Sequence, residues 1–175
     1  MARTSSRDKI LDALETVLIE RGAGAVTLDA VCETAGVSKG GLLYHFASKA
    51  ELYAGLTDRL AEGIRKEVTQ APSDPGELVR WFIFGAVPSD NAERALWRSL
   101  LAGVRLEEHH DDATPPIARL LDEWARPLDR FEPGLALQIR LVADGLYFNA
   151  LVGAPRPPED LLDRLIAPLA AAARA

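Results

Sequence analysis

The sequence predicts an all-α protein with about nine helices. Apolar residues recur three and four positions apart along most of the 175-residue chain, which is the spacing of one helix face. Serine, threonine, glycine and proline residues that favour helix ends separate these stretches. No segment alternates apolar and polar residues in the way that a half-buried strand requires. Since 48% of the residues are apolar, we also expect a well-packed core.

End signals delimit the first four helices. The first ends at Gly22, and the second begins after Thr27 and ends at Gly36, where glycine can take the left-handed conformation. The third begins after Ser38, and the fourth begins with the capping box Ser48–Glu51 and runs to about residue 69. Apolar residues on either side of two caps form hydrophobic staples, namely Val26 with Val31 and Val37 with Leu42.

Turn and proline signals delimit the later helices, with a polar loop over residues 107–116. These helices are expected between the turn segments 71–77 and 87–93, over about 91–106, from 114–116 onward, over about 133–153 and from 155–160 onward.

The charge of the chain does not exclude a nucleic-acid partner. The net charge is −6, but residues 1–50 hold six basic and six acidic residues, so the acidic excess lies in the remainder. The first segment is therefore neutral and has lysines at its helix starts, which permits a DNA contact without requiring one.

The stretch "SKGGLLYHF", residues 38–46, places two adjacent glycines in the first turn of the third helix. Glycine inside a helix costs about 1 kcal/mol relative to alanine. The turn Gly36-Val37-Ser38 has the length found in a helix-turn-helix, whose second helix brings its amino end to the DNA major groove. Gly40 and Gly41 would let the backbone approach a sugar-phosphate wall or a base edge, and the helix amino end favours phosphate. Because the cap and the staple agree with this role, it is favoured over a merely relaxed turn.

The stretch "TLDAVCETAGVSKGGLLYHFASKAEL", residues 27–52, resembles the DNA-binding segment of the tetracycline-repressor (TetR) family of bacterial transcription regulators. The resemblance extends over about residues 7–60 and rests on spacing, caps, glycines and aromatic positions together. It implies a three-helix helix-turn-helix DNA-binding domain over 1–50 and a larger helical domain for ligand binding and dimerisation over 51–175. It also implies a transcription regulator, usually a repressor, and not an enzyme.

The resemblance assigns contacts to individual positions. Thr27 matches a phosphate-contacting position, although a plain capping role explains it equally well. Lys39 would bind a guanine edge or a phosphate, and Leu43 would touch a thymine methyl or pack. The family more often has Thr or Ser at position 41 and Tyr at position 43, so those two contacts are expected to be missing. Leu42 and Phe46 are expected in the core. The predicted DNA-binding residues are Thr27, Ser38, Lys39, Gly40, Gly41, Leu43, Tyr44, His45 and Lys49.

The helix over about 133–153 is apolar on two sides, which is more than one packed face requires. One stripe contains Leu135, Ile139, Val142 and Leu146, and the other contains Leu137, Leu141, Phe148 and Val152. The last helix has a similar excess of apolar surface. These two helices are therefore predicted to pair with the same two helices of a second chain, which gives a four-helix bundle across a two-fold axis, as the resemblance also implies. The homodimer would bind a palindromic operator. The predicted interface residues are Leu135, Ile139, Val142, Leu146, Leu162, Leu165, Ile166 and Leu169.

A small-molecule effector is implied by the resemblance, in which a ligand in the second domain moves the fourth helix and releases the DNA. The aromatic stripes of that domain carry few charges, so the ligand is expected to be largely apolar. The same aromatic residues at helical spacing would equally serve as core. The candidate pocket residues are Trp81, Phe84, Trp97, Leu101, Trp124, Tyr147 and Phe148.

Two other classes of protein were weighed. A metal or enzyme site would have to use "EEHHDD", residues 107–112, but the adjacent His109 and His110 point to different sides of a helix or strand. We therefore expect no metal and no cofactor. The second alternative is a helical interaction protein that has lost DNA binding and has no ligand response, which the intact segment 38–49 opposes.

A cytoplasmic location is expected. No run of 18 or more uncharged apolar residues occurs, and charges interrupt the first fifteen residues before an apolar stretch develops. Cys32 is the single cysteine, so it has no internal disulfide partner.

Overall fold

Helices account for most of the described chain, and no strand occurs in that part. The computed structural model describes residues 5–104 and 116–175. The helices are α1 (Ser6–Arg21), α2 (Leu28–Ala35), α3 (Lys39–His45), α4 (Lys49–Val68), α5 (Pro75–Gly85), α6 (Asn91–Val104), α7 (Pro116–Ala125), α8 (Pro133–Leu151) and α9 (Glu159–Ala172). The predicted all-α class is confirmed. Across these described ranges, no helix has both the length and the apolar character needed to cross a membrane.

The predicted end signals of α2 and α3 form real hydrogen bonds. Thr27 Oγ1 accepts from the backbone N–H of Ala30 at 3.0 Å, and Ser38 Oγ accepts from that of Gly41 at 3.1 Å. A cap of this kind contributes about 1 kcal/mol to helix stability. Gly36 ends α2 with φ 65° and ψ 35°, the left-handed conformation expected of it. The turn between the two helices is thus set by residues close together in sequence.

The start of α4 is a reciprocal pair of hydrogen bonds. Ser48 Oγ accepts from the N–H of Glu51 at 3.1 Å, as the capping box predicts. The Glu51 carboxylate accepts from the N–H of Ala47 at 2.9 Å, one residue before the cap. The box therefore fixes both the first turn of α4 and the chain that enters it.

The helix predicted from residues 114–116 is shorter than expected at its far end. The helical spacing of Ile117, Leu120, Leu121, Trp124 and Leu128 predicts a helix that reaches Leu128. In the structure α7 ends at Ala125 and continues as a 3₁₀ turn over Arg126–Arg130. Pro127 is responsible, because proline has no N–H to donate to the helix and its ring disfavours a helical residue before it. A second 3₁₀ turn, Ala23–Ala25, follows α1 and was not predicted.

The described chain divides into two packing units. Unit 1 comprises residues 5–63, 95–104 and 116–120, and unit 2 comprises 64–94 and 121–175. The core of unit 1 surrounds α1 and takes in residues of α4 and α6 as well as α2 and α3. Its buried side chains include Ile10, Leu11, Leu14, Val17, Leu18, Val31, Leu42, Phe46, Leu52, Leu56, Leu96 and Leu100.

The predicted domain boundary at residue 50 does not coincide with this division. Leu52 and Leu56 of α4 are fully buried in the core around α1. Ser99 of α6 is also buried there, and its hydroxyl donates to the Leu18 carbonyl oxygen at 2.8 Å. The division into functional domains at residue 50 stays a prediction, since packing and function need not share a boundary.

Unit 2 is built mainly from α5, α8 and α9. Its buried core contains Val79, Phe82, Ile83, Leu128, Ile139, Ala143, Leu146, Leu162, Ile166 and Ala170. Trp124 extends this core by stacking on Trp81, with ring centroids 4.8 Å apart, and on Phe82 at 5.7 Å. Such stacked pairs contribute about 0.5–1.5 kcal/mol beyond the area they bury.

Most side chains of the predicted dimer interface are buried or half-buried in the core of unit 2, so their contact with a second chain stays a prediction. Ile139 and Leu146, with Leu162 and Ile166 of α9, are buried in the core of unit 2. Leu135, Val142 and Leu169 are half-buried against that core, and only Leu165 of the predicted set is exposed. Both sides of α8 are apolar, and periodicity alone does not tell which side packs inward.

The other stripe of α8 lies at the surface of the described unit. Two leucines of α9, a helix that packs against α8, are also exposed. We refer to these side chains together as the α8–α9 apolar surface, and they are between 48% and 62% exposed. The α8–α9 apolar surface consists of Leu137, Leu141, Phe148, Val152, Leu161 and Leu165.

Candidate nucleic-acid interface

The seven-residue helix α3 is held from its inner side. Leu42 is fully buried and Phe46, just after the helix, is 3% exposed, and both belong to the core of unit 1. The prediction that these two residues are core is confirmed. Because burial of such side chains contributes about 1.5–3 kcal/mol each, the orientation of α3 about its axis is fixed.

The outer edge of α3 is open to solvent. Ser38, Lys39 and Gly40 are exposed at its amino end. Tyr44 is 85% exposed and Leu43 is 40% exposed, although both have large apolar bodies. The His45 ring is half-buried and meets the Tyr44 ring edge to face, with centroids 5.1 Å apart. Exposed aromatic side chains beside a lysine are suited to contact a sugar-phosphate backbone.

The two adjacent glycines of α3 have different surroundings. A Cβ atom at Gly40 would meet nothing within 4 Å, whereas one at Gly41 would lie 3.2 Å from Ser38 Oγ. Gly41 thus makes room for the cap of its own helix. Gly40 has no such internal requirement, and the open space around it leaves room for another molecule to approach the backbone.

Two further predicted contacts have side chains already engaged within unit 1. Thr27 Oγ1 accepts the capping hydrogen bond, but its hydroxyl proton is free to be donated to a phosphate oxygen. The Lys49 ammonium lies 5.7 Å from the centroid of the Tyr53 ring. The predicted DNA-binding residues therefore lie around α2, α3 and the start of α4, and their contacts to DNA stay predictions.

Sequence reasoning missed Asp29, which changes the charge of the outer edge. Its carboxylate Oδ1 lies 3.0 Å from Lys39 Nζ, and both side chains are more than half exposed. Asp29 follows the Thr27 cap by two residues, in the first turn of α2. No local pattern would have shown the pairing, because the two residues lie on different helices.

Two other missed features fix α4 within unit 1. The Arg59 guanidinium donates to Asp12 and to Glu15 of α1, each at 2.6 Å. Gly55 is buried, and a Cβ there would lie 2.5 Å from Cε1 of the Phe46 ring. These contacts join residues far apart in sequence, so only the folded chain reveals them.

The predicted ligand-pocket residues are divided between the two units. Trp97 and Leu101 belong to unit 1, and Phe148 belongs to the α8–α9 apolar surface. Trp81 and Trp124 stack on each other in unit 2. Their contact with a ligand stays a prediction.

Phe84 lines a cavity of about 280 Å³ within unit 2. Its walls come from the end of α5, the start of α6, the end of α8 and the chain that leads into α9.

Tyr147, another predicted pocket residue, is half-buried. Burial and, to a smaller extent, the nearby Glu93 carboxylate raise the pKa of its phenol above the usual range. The phenol is therefore neutral near pH 7.

The comparisons with known proteins cover both units. A family model described as "Bacterial regulatory proteins, tetR family" matches residues 10–56. A second, described as "Tetracyclin repressor-like, C-terminal domain", matches residues 76–174, which is more than half of the chain. The chain belongs to the TetR family. TetR-family proteins regulate transcription by binding DNA, respond to small-molecule ligands, and commonly act as dimers; they are not enzymes.

Two curated relatives match a part of the chain. The chain is 37% identical over 71 residues to the HTH-type transcriptional activator FasR of Mycolicibacterium smegmatis, covering 41% of this chain and 32% of FasR. It is 40% identical over 57 residues to the HTH-type transcriptional regulator TtgR of Pseudomonas putida, covering 33% of this chain and 27% of TtgR. The aligned part thus spans about a third or less of each of these relatives.

A solved structure supports the fold over nearly the whole length. The multidrug binding protein EbrR, complexed with malachite green, superposes with a TM-score of 0.72 and 24% identity. The superposition covers 93% of this chain and 96% of EbrR. The TetR-family resemblance predicted from residues 27–52 is confirmed. His109 and His110 lie outside the described residues, so the expectation that they hold no metal stays a prediction.

Proposed function

We propose that this TetR-family regulator binds a palindromic DNA operator as a homodimer, represses transcription, and is released by a small ligand. The observation that carries the proposal is the geometry of α3. Its inner side is held by Leu42 and Phe46, while Lys39, Gly40 and Tyr44 stand at an exposed edge. Such a helix can enter the major groove without unfolding its own domain. Since the DNA partner is in the cytoplasm, that is the proposed location.

The α8–α9 apolar surface supports the dimer. Six large apolar side chains at roughly half exposure form an unusual patch for a protein that stays monomeric. Gly145 lies between Leu141 and Phe148 on the exposed side of α8, and a Cβ there would meet nothing within 4 Å. A second copy of α8 can therefore approach closely at this point. Two-fold pairing buries the same patch on both chains, which is the usual symmetry of a homodimer.

Dimerisation gives the DNA contact its specificity. One helix-turn-helix reads only a few base pairs and binds weakly on its own. Two copies related by a two-fold axis bind two inverted half-sites, whose centres lie about 34–36 Å apart or at a multiple of that distance. This relationship is why a palindromic operator is proposed.

The ligand response is supported by the unit 2 cavity. A cavity walled by the ends of several helices can change shape when a small molecule fills it, and such a change alters the separation of the two DNA-binding helices. EbrR has been crystallised with malachite green, and TtgR is a transcriptional regulator that is 40% identical to this chain over 57 residues. FasR is named an activator, so the sign of regulation needs a direct test.

DNA binding is tested with a fluorescent duplex taken from the region upstream of the protein's own gene. Lys39→Ala and Tyr44→Ala should each weaken binding about 5- to 100-fold, because each removes a contact worth about 1–3 kcal/mol. Arg164→Ala, which removes an exposed arginine of unit 2, is the matched control and should bind as the unmodified protein does. Unchanged helicity by circular dichroism shows that the fold survives. If both variants bind DNA normally but alter assembly, the helical interaction protein without DNA binding is the better interpretation.

The dimer is tested by Leu141→Glu combined with Phe148→Glu. Both residues are about 60% exposed in the single chain, so the variant should fold, yet charges at the centre of the patch should prevent association. Light scattering after size exclusion should show the mass of one chain, and operator affinity should fall. Gln70→Glu adds a charge elsewhere on the surface of unit 2 and should leave the dimer intact. A double variant that still dimerises would exclude this surface as the interface.

Repression and release are tested with a reporter gene behind the same upstream region. Expression should be low when the regulator is present and should rise when its gene is deleted. Lower expression after deletion would identify an activator instead. An effector added to the strain that contains the regulator should raise expression, as deletion of the regulator gene does. The same effector should not change expression in the deletion strain.

A further inference from the structure

The unit 2 cavity has walls of mixed chemistry. Apolar side chains contribute one part of the lining, and two arginines contribute another, with no carboxylate among the lining residues. Its lining residues are Phe84, Val87, Pro88, Ser89, Arg94, Leu146, Asn149, Ala150, Gly153, Ala154, Arg156, Pro157 and Leu162. We refer to it as the arginine-lined cavity.

Arg94 has a hydrogen-bond donor without a partner. Its Nη1 donates to Asn91 Oδ1 at 3.0 Å, but its Nε is buried and has no acceptor among the residues that the structure describes. Buried N–H groups in folded proteins are nearly always paired, and a charged one left unpaired is costly. A guanidinium can present Nε and one Nη side by side to the two oxygens of a carboxylate.

Arg156 adds a second positive charge without a protein counter-ion. Its guanidinium lies 5.7 Å from the centroid of the Phe84 ring. Arg80 lies equally close to the same ring, but it forms an ion pair with Asp163. Arg156 forms no ion pair with any residue that the structure describes.

The carboxylates closest in sequence to Arg94 are already engaged. The Glu93 carboxylate accepts from the backbone N–H of Ser89 at 2.7 Å and from the Ser89 hydroxyl at 2.9 Å. Asp90 Oδ1 accepts from the N–H of Glu93 at 2.8 Å. Both acids cap the start of α6, and among the described residues the Arg94 side chain is hydrogen-bonded to Asn91 and not to either of them.

We propose that the arginine-lined cavity binds a small organic anion whose carboxylate pairs with Arg94 and Arg156 and whose apolar body lies against Phe84, Leu146 and Leu162. In this arrangement Arg94 Nε donates to one carboxylate oxygen, and Arg156 contributes a second positive charge that attracts the same carboxylate. This assignment changes the ligand expected from the sequence. The aromatic stripes carry few charges, but these two arginines lie outside the stripes and meet only in the folded unit. Any effect of the anion on DNA rests on the ligand response proposed above.

The site is tested by isothermal titration of the full-length protein without DNA. The probes are acetate, benzoate and 1-naphthoate, each paired with its neutral primary amide. Benzoate or 1-naphthoate should bind at least about tenfold more tightly than its amide, because only the carboxylate forms a charged pair. Acetate should bind more weakly than both, because it has no apolar body to bury.

Three variants locate the binding. Arg94→Gln and Arg156→Gln should each weaken binding of the preferred carboxylate about tenfold or more. Arg98→Gln removes an exposed arginine one turn further along α6 and should leave binding unchanged. Arg156 is itself exposed, so its variant tests the site even if Arg94→Gln proves unstable. Equal binding of acid and amide, no loss in the Arg156 variant, or no binding of any carboxylate at about 10 mM would each overturn the proposal.

Operator release is measured separately, by adding the preferred carboxylate to the protein–DNA complex. If the carboxylate binds the protein but does not release the DNA, the anion site is supported and a ligand response through this cavity is contradicted. Release that persists in both arginine variants supports a ligand response and contradicts the anion site.

Discussion

The Lys39 ammonium lies 3.0 Å from the Asp29 carboxylate, so the cation at the amino end of α3 is paired with an anion from α2. The lysine thus reaches its partner on DNA only by exchanging this carboxylate for a phosphate or a guanine edge. Because both side chains are largely exposed, the pair itself contributes little to folding, on the order of 0–1 kcal/mol. Its main effect falls on DNA affinity.

Asp29→Asn should tighten DNA binding. The change frees Lys39 and removes a negative charge near the phosphates, so affinity should rise about three- to tenfold at low salt and the gain should shrink as salt increases. Anisotropy titrations over a range of salt concentrations measure the gain in affinity and its dependence on salt. Glu20→Gln removes an exposed acid at the far end of α1 and controls for net charge. Weaker binding by Asp29→Asn would show instead that the carboxylate holds Lys39 in its binding position.

Gly40→Ala should separate stability from DNA binding. The added methyl meets nothing within 4 Å, and alanine favours a helix by up to about 1 kcal/mol, so the melting temperature should stay level or rise. DNA affinity should nevertheless fall about tenfold or more if backbone approaches DNA at this position. Gly63→Ala in α4 has equally open surroundings and should change stability alone. Unchanged affinity in Gly40→Ala would mean that this turn does not closely approach DNA.

Gly55→Ala should destabilise the protein although alanine is the better helix former. Its Cβ would lie 2.5 Å from the Phe46 ring, which is itself buried in the core of unit 1. Overpacking of this kind costs about 1–3 kcal/mol, which exceeds the propensity gain. The free energy of unfolding in urea measures the loss, and Gly63→Ala in the same helix is the control that should show the gain. Equal stability of the two variants would mean that Phe46 moves aside at little cost.

Asp74 should contribute to acid sensitivity of unit 2. Hydrogen bonding from Arg174, at 2.7 Å, and then from the Glu77 N–H, at 2.8 Å, lowers the pKa of Asp74 below its usual 3.8. A carboxylate with a lowered folded-state pKa stabilises the fold above its unfolded pKa and loses that contribution as pH falls through the folded value. Melting temperatures followed down to about pH 3 should therefore fall more in the unmodified protein than in Asp74→Asn.

The control for this comparison is Asp129→Asn, which removes an exposed carboxylate from the same unit and should leave the pH dependence as it is. Parallel curves for the unmodified protein and Asp74→Asn would show that the Arg174 contact has no net effect on stability.

Several parts of the protein depend only on residues that are neighbours along the chain, and these could be predicted. The Ser38 cap, the left-handed Gly36 and the capping box at Ser48 join residues three or four positions apart, and all three were predicted and observed. The family resemblance was carried by the same segment, because its spacing is a local property. Leu42 and Phe46 could be assigned to the core for the same reason.

The side of α8 that faces inward could be identified only in the folded chain. Ile139 and Leu146 are buried in the core, whereas Leu141 and Phe148 are exposed. The tertiary structure also paired Lys39 with Asp29 and joined Arg94 and Arg156 in one cavity. A hydrophobic stripe predicts that a helix face is buried, but it does not identify the element that covers that face. A charged residue in the sequence likewise does not identify its ion-pair partner. Those outcomes depend on contacts between residues far apart in sequence, and the energies of such contacts are set by how the helices pack.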